Sequence, residues 1–106
     1  MSYRFMRLVV FFDLPVETSQ QLREYRDFRK FLLRSGFVMM QESVYSKILL
    51  NATAAAAVQE NVRKHKTTGG IIQMLLVTER QFERMEIVVG EAQHTVIDSD
   101  ERLIIL

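Results

Sequence analysis

The chain has 106 residues, 48% hydrophobic and 25% charged, with one proline and no cysteine. That is enough for one globular domain around one core, and it excludes disulfides and thiolate metal sites. The net charge of +1 conceals an asymmetry: residues 1–78 carry 11 Lys and Arg against 6 Asp and Glu, and residues 79–106 carry 3 against 7.

A basic body followed by an acidic segment suits a polyanionic partner, although a mixed solvated surface gives the same counts. The opening MSYRFMRLVVFFDLP holds an apolar run too short to span a membrane and lacks a small-residue cleavage site. The expectation is a protein of the reducing cytoplasm with no signal peptide and no membrane contact.

In chain order, residues 4–13 read as the first strand, with MRLVVFFD (Met6–Asp13) at its heart. Leu8, Val10 and Phe12 point one way; Val9, Phe11 and Asp13 point the other. A strand apolar on both faces needs cover on both, from the chain's own helices on one side and a second copy on the other. Leu14-Pro15-Val16 turns the chain away, because proline cannot donate to a ladder.

Thr18 and Gln21 form a capping box that opens a helix running to about Ser35. Leu22, Tyr25, Phe28 (or Arg29) and Leu32 recur at helical spacing as its buried stripe. Arg23, Arg26, Lys30 and Arg34 fall largely outside that stripe. Gly36 stands where a C-terminal cap glycine belongs.

Residues 37–41 and 43–50 read as two strands joined by a tight turn or bulge near Gln41-Glu42-Ser43. Asn51 caps a second helix over residues 52–66, rich in alanine. Arg63, Lys64, His65 and Lys66 crowd its end, which cations also favour for purely structural reasons. Thr67-Thr68-Gly69-Gly70 makes the exit loop.

Ile71–Thr78 is again apolar on both faces and should lie beside the first strand at the sheet centre. Thr78 with Gln81 caps a short helix ending near Met85. Residues 86–89 and 103–106 read as short apolar strands around a polar, acidic stretch.

The order through residue 78 is strand–helix–strand–strand–helix–strand, an α+β, ferredoxin-like βαββαβ core. Residues 79–106 form an extension, with extra C-terminal strands. Helices cover only one face of such a sheet, which independently points to a homodimer packed sheet to sheet. The extra strands could extend the sheet or protect a partner's edge.

No phosphate loop, H-E-x-x-H or G-x-S-x-G motif is present. Both histidines, His65 and His94, fall in polar surroundings and read as solvated. The sheet lacks the paired aromatics of RNA-recognition domains, since Phe11 has no second ring on a matching central strand. Asp13 remains. One carboxylate is a poor site, but a two-fold axis can bring two together, and Mg²⁺ takes one or two carboxylates plus waters and phosphate oxygens. Spacing alone leaves Asp13 equally readable as the cap of the turn before Pro15.

The chain resembles the CRISPR-associated protein Two family. The residues that carry the resemblance are RLVVFFDLP (7–15), YRDFRKFLLRSGF (25–37), QESVYSK (41–47), LLVTERQFERM (75–85) and DERLIIL (100–106). The long first helix with FRKFLL and the final RLIIL look like the version found in type II systems.

The resemblance implies a homodimer that bridges two dimers of the CRISPR integrase subunit and holds duplex DNA, the prespacer, for insertion into the array. The function expected is therefore a non-catalytic DNA-binding subunit of spacer integration. The alternative is an Mg²⁺-dependent endonuclease acting on RNA or DNA, with Mn²⁺ able to replace Mg²⁺. The family's metal aspartate ends the first strand, and Asp13 matches that position as the catalytic and metal-binding residue. A stand-alone RNA-cleaving toxin on the same scaffold is a third reading, which the C-terminal extension disfavours.

By the same resemblance, Leu103, Ile104, Ile105 and Leu106 dock the integrase, and their apolar character suits strand addition. The candidates for phosphate contact are Arg23, Arg26, Lys30 and Arg34 on the first helix, with Arg63, Lys64 and Lys66 at the end of the second. They rest on charge and predicted exposure, because sequence-neutral duplex binding needs cations and no base readout.

Overall fold

A computed structural model describes residues 5–90. They form β1 (Met6–Asp13), α1 (Ser19–Arg34), β2 (Val38–Gln41), β3 (Val44–Leu49), α2 (Ala52–Lys64), β4 (Ile71–Thr78) and α3 (Glu79–Glu83). The strands make one antiparallel sheet in the order β2-β3-β1-β4. This is the ferredoxin-like arrangement expected from the element order. One expectation is corrected. β4 does lie beside β1, but at the sheet edge, because β3 occupies the other side of β1.

The helix boundaries follow local chemistry. At α1, the Thr18 hydroxyl accepts from the Gln21 N–H at 3.1 Å, and the Gln21 side chain accepts from the Thr18 N–H at 3.0 Å. Thr78 and Gln81 repeat the box at α3 with 3.0 and 2.9 Å, and Asn51 accepts from the Ala54 N–H at 2.8 Å to cap α2. α1 closes in a Schellman motif. The Gly36 N–H donates to the Leu33 carbonyl at 3.1 Å and the Phe37 N–H to the Leu32 carbonyl at 3.0 Å. Gly36 has φ 92°, a conformation that favours glycine. The turn between β2 and β3 is Glu42-Ser43, with a register shift between Met39 and Gln41, so it is a turn and a bulge at once.

The core lies between the sheet and the helices. Leu8, Val10 and Phe12 of β1 meet Phe28, Phe31 and Leu32 of α1, Tyr45 and Leu49 of β3, and Ala55 and Val62 of α2. Phe12 is its aromatic hub, edge-on to Phe28 at 5.3 Å and tilted against Tyr45 at 5.6 Å. Phe31, outside the stripe read from the sequence, is buried here.

Tyr45 is fully buried, and its hydroxyl has no hydrogen-bond partner among the described residues. The Arg29 guanidinium lies close by, outside good hydrogen-bond geometry to that hydroxyl, with Nη2 4.0 Å from the Met39 sulfur. Burial raises the Tyr45 phenol above its ordinary value, and the nearby Arg29 charge opposes that rise. Tyr45→Phe should therefore leave stability unchanged or raise it by up to about 1 kcal/mol in urea unfolding, since it deletes a desolvated, unpaired hydroxyl. A loss of more than about 1 kcal/mol would mean that the hydroxyl has a partner.

The face of the sheet away from α1 and α2 is partly covered by the chain itself. Arg7 grips Glu79 with two bonds of 2.7 and 2.9 Å, lies 4.2 Å above the Phe82 ring, and reaches the Ser46 hydroxyl at 3.4 Å. Val9 and Ser46 are buried on this face. Farther along, Ile48, Ile71 and Leu75 stand about half exposed, at 49%, 57% and 52%.

The strand expected at residues 86–89 does not form. Ile87, Val88 and Val89 are 52%, 82% and 90% exposed. No strand of the described residues lies alongside to complete a ladder, and an isolated strand gains nothing from its own backbone. The expected strand at Leu103, Ile104, Ile105 and Leu106 lies outside the described residues, as does most of the extension. No helix among the described residues is long and apolar enough to cross a membrane.

Candidate functional site

Asp13 is the last residue of β1, exposed, and in register with Ile71 at the start of β4. Strand alternation puts it on the open face, in line with Arg7, Val9 and Phe11, while Phe12 enters the core. Leu14-Pro15 then leaves the sheet. On the same face Phe11 is in register with Gln73 and Val44 and meets no second ring across the ladder. Among the described residues no group of three His, Cys, Asp or Glu could hold a metal ion. What the end of β1 presents on this face is the Asp13 carboxylate.

The chain around Asp13 is held from behind. The exit loop after α2 is tied to α1 through Glu24, whose carboxylate accepts from the Thr68 N–H at 3.1 Å and from the Thr68 hydroxyl at 3.1 and 3.0 Å. These bonds hold the Glu24 carboxyl below its ordinary value, the backbone donor contributing most. The sign follows from linkage. The contact contributes stability above the ordinary carboxylate range and loses it as pH falls through the lowered value. Two residues on, Gly70 at φ 82° lies directly against the backbone of Asp13 and Leu14. Neither Glu24 nor Thr68 was singled out from sequence, where no local pattern joins residues 44 positions apart.

The candidate cations lie elsewhere. Arg23, Arg26, Lys30 and Arg34 are all exposed, and their spacing of three and four residues sets them on one outward stripe of α1. Arg63, Lys64 and Lys66 are also exposed, but Arg63 is engaged by Glu60 at 3.0 Å. The end of α2 is brought against α1 by His65, whose ring stacks on Phe31 at 3.8 Å while Nδ1 lies 2.9 Å from the Asn61 carbonyl. His65 is exposed as expected, yet one ring face packs. His94 lies outside the described residues. The two groups of cations therefore share the helix layer, and Asp13 occupies the opposite face of the sheet.

Comparison with known proteins gives one consistent family. The family described as CRISPR associated protein Cas2 matches residues 6–85. A protein of Treponema denticola named CRISPR-associated endoribonuclease Cas2 is 46% identical over 101 residues, covering 95% of this chain and 100% of its own length. The protein of the same name from Streptococcus mutans serotype c (strain UA159) is 45% identical, with 95% and 93% covered. A solved structure described as a crystal structure of cas2 superposes with a TM-score of 0.58 at 16% identity, covering 90% of this chain and 98% of that one; at that identity it speaks for the fold.

Proposed function

The chain belongs to the CRISPR-associated Cas2 family, and from that premise we propose that it works as a homodimer forming the DNA-binding, non-catalytic subunit of the spacer-integration complex, bridging integrase dimers along a prespacer duplex. The observation that carries this reading is the separation of surfaces. The exposed apolar residues Ile48, Ile71 and Leu75 face one way, and the α1 cations Arg23, Arg26, Lys30 and Arg34 lie in the layer that faces the other. Two copies joined through their open faces present two basic helix layers outward. The edge of β4 and the apolar segment after α3 are surfaces suited to strand addition from a second copy.

Such binding is electrostatic and salt-dependent. Replacing Arg23, Arg26, Lys30 and Arg34 together by Gln should weaken binding to any duplex alike. It should also flatten the dependence of log affinity on log salt by about one unit per lost phosphate contact. Fluorescence anisotropy over a salt series reads both. An unchanged slope would place the duplex on another surface.

A second reading is favoured by two observations: the exposed carboxylate of Asp13 at the end of a central strand, and the endoribonuclease names of the relatives. In it, the chain cleaves phosphodiesters with a divalent cation such as Mg²⁺. The donor chemistry fits, because Mg²⁺ accepts one or two carboxylates with waters and substrate phosphates completing the shell. One protomer supplies one carboxylate and a two-fold pair supplies two. Asp13 would hold such a cation, and the chemistry the cation would supply there is polarisation of the phosphodiester and activation of a water. The end of β1 fixes where the carboxylate stands.

A further inference from the structure

We propose that the exit loop over residues 67–70 positions Asp13 for metal binding, with Gly70 as the positioning residue and the Glu24–Thr68 contact as its anchor; this rests on the second reading above.

The geometry has three parts. First, a Cβ on Gly70 would stand 2.6 Å from the Asp13 carbonyl oxygen, 2.8 Å from Leu14 Cδ2 and 3.0 Å from Leu14 Cα. Two of these three neighbours are backbone atoms, so a larger residue cannot be accommodated by a side-chain swing. Second, Gly70 has φ 82°, which an L side chain rarely adopts. Third, the loop cannot drift away from Asp13. Thr68 is held to Glu24 of α1 by three contacts of 3.0–3.1 Å, the Thr67 hydroxyl donates to the Gly69 carbonyl at 2.8 Å, and Ile71 enters the β-ladder opposite Asp13.

The loop is thus clamped to α1 on one side and to β1 on the other. The Asp13 backbone is the surface it presses on. A carboxylate that supplies half of a two-fold metal site tolerates little displacement, because both halves move together by symmetry. Outer-shell groups that orient a metal ligand commonly govern affinity by about ten- to a hundredfold. Gly69 provides an internal control. It sits next to Gly70, has no atom within 4 Å of its ideal Cβ, and lacks the positive φ.

The test is direct Mn²⁺ binding to the full chain, read by electron paramagnetic resonance, for Gly70→Ala, Gly69→Ala and Asp13→Ala beside the unaltered protein. Melting temperature and oligomer mass are followed in parallel. Gly70→Ala should weaken Mn²⁺ binding by about tenfold or more in protein that is still folded, with Gly69→Ala unchanged and Asp13→Ala without binding. A lower folded fraction alone would reduce the number of sites and leave their affinity intact. Wild-type affinity in Gly70→Ala, with binding lost in Asp13→Ala, overturns the positioning role and leaves the metal reading standing. Wild-type affinity in Asp13→Ala overturns both. Should Gly70→Ala not fold, Glu24→Ala decides: weakened Mn²⁺ binding supports the anchored loop, and unchanged binding overturns it.

Discussion

Asp13→Ala should reduce any metal-dependent phosphodiester cleavage by about a thousandfold or more, and leave duplex binding and oligomer mass as they were. The size follows from the role. Charge stabilisation by a bound cation is worth several kcal/mol, and about 1.4 kcal/mol is tenfold in rate. Asp13 is the carboxylate that ends β1 on the open face. The selectivity follows from position. The residue is exposed, so its loss opens no cavity in the core formed by its neighbour Phe12. The α1 cations lie on the other side of the sheet, so the phosphate contacts proposed there should not feel the change. A gel assay on RNA and duplex DNA with Mg²⁺, beside anisotropy on the same duplex, reads both arms. Cleavage that survives the substitution would remove Asp13 from the nuclease reading. Loss of duplex binding in a folded Asp13→Ala protein would mean that the two surfaces are not independent.

Leu75→Asp should convert the protein to a monomer, with the dissociation constant raised by about a thousandfold or more. Leu75 is half exposed near the middle of the open face, in register with Val9 of β1. A charge placed there is harmless in the single chain, where water reaches it. In an interface closed on a two-fold axis it is buried, and its symmetry mate is buried with it. Desolvating an unpaired carboxylate costs several kcal/mol, and about 4 kcal/mol is already a thousandfold in affinity. Light scattering at micromolar concentration reads the mass, and circular dichroism reads the fold. An intact dimer would place the contact on another surface. A monomer that still binds duplex as tightly as before would show that doubling the basic layer contributes nothing.

How much of this was legible in the chain depends on the range of the contacts involved. Capping boxes act over three residues, so Thr18 with Gln21 and Thr78 with Gln81 announce their helices, and Gly36 announces the end of α1. The two-residue period of β1 separates Phe12 from Asp13, and with it the core from the candidate site. Other features depend on pieces far apart in sequence. Arg7 meets Glu79 across 72 positions, which is why α3 folds back over part of a face that composition alone leaves bare. Glu24 meets Thr68 across 44, which is why the support behind Asp13 shows in no local motif. The placing of β4 at the sheet centre failed for a related reason: apolarity on both faces marks burial on both faces but does not say whether a strand has one neighbour or two. Residues 86–89 carry the residue types of a strand, yet strand formation needs a ladder partner, and the described residues provide none there. The family resemblance supplies what physical patterning could not, namely a reason to weigh Asp13 above the chain's other carboxylates.

Size-exclusion chromatography with light scattering on the purified protein, mixed with its candidate integrase and a short duplex bearing single-stranded ends, tests the bridging role directly. One complex is expected, its mass corresponding to two integrase dimers joined by one dimer of this protein on one duplex. A dimer that elutes alone, ignoring both integrase and DNA, would contradict it and leave Asp13 as the centre of the function.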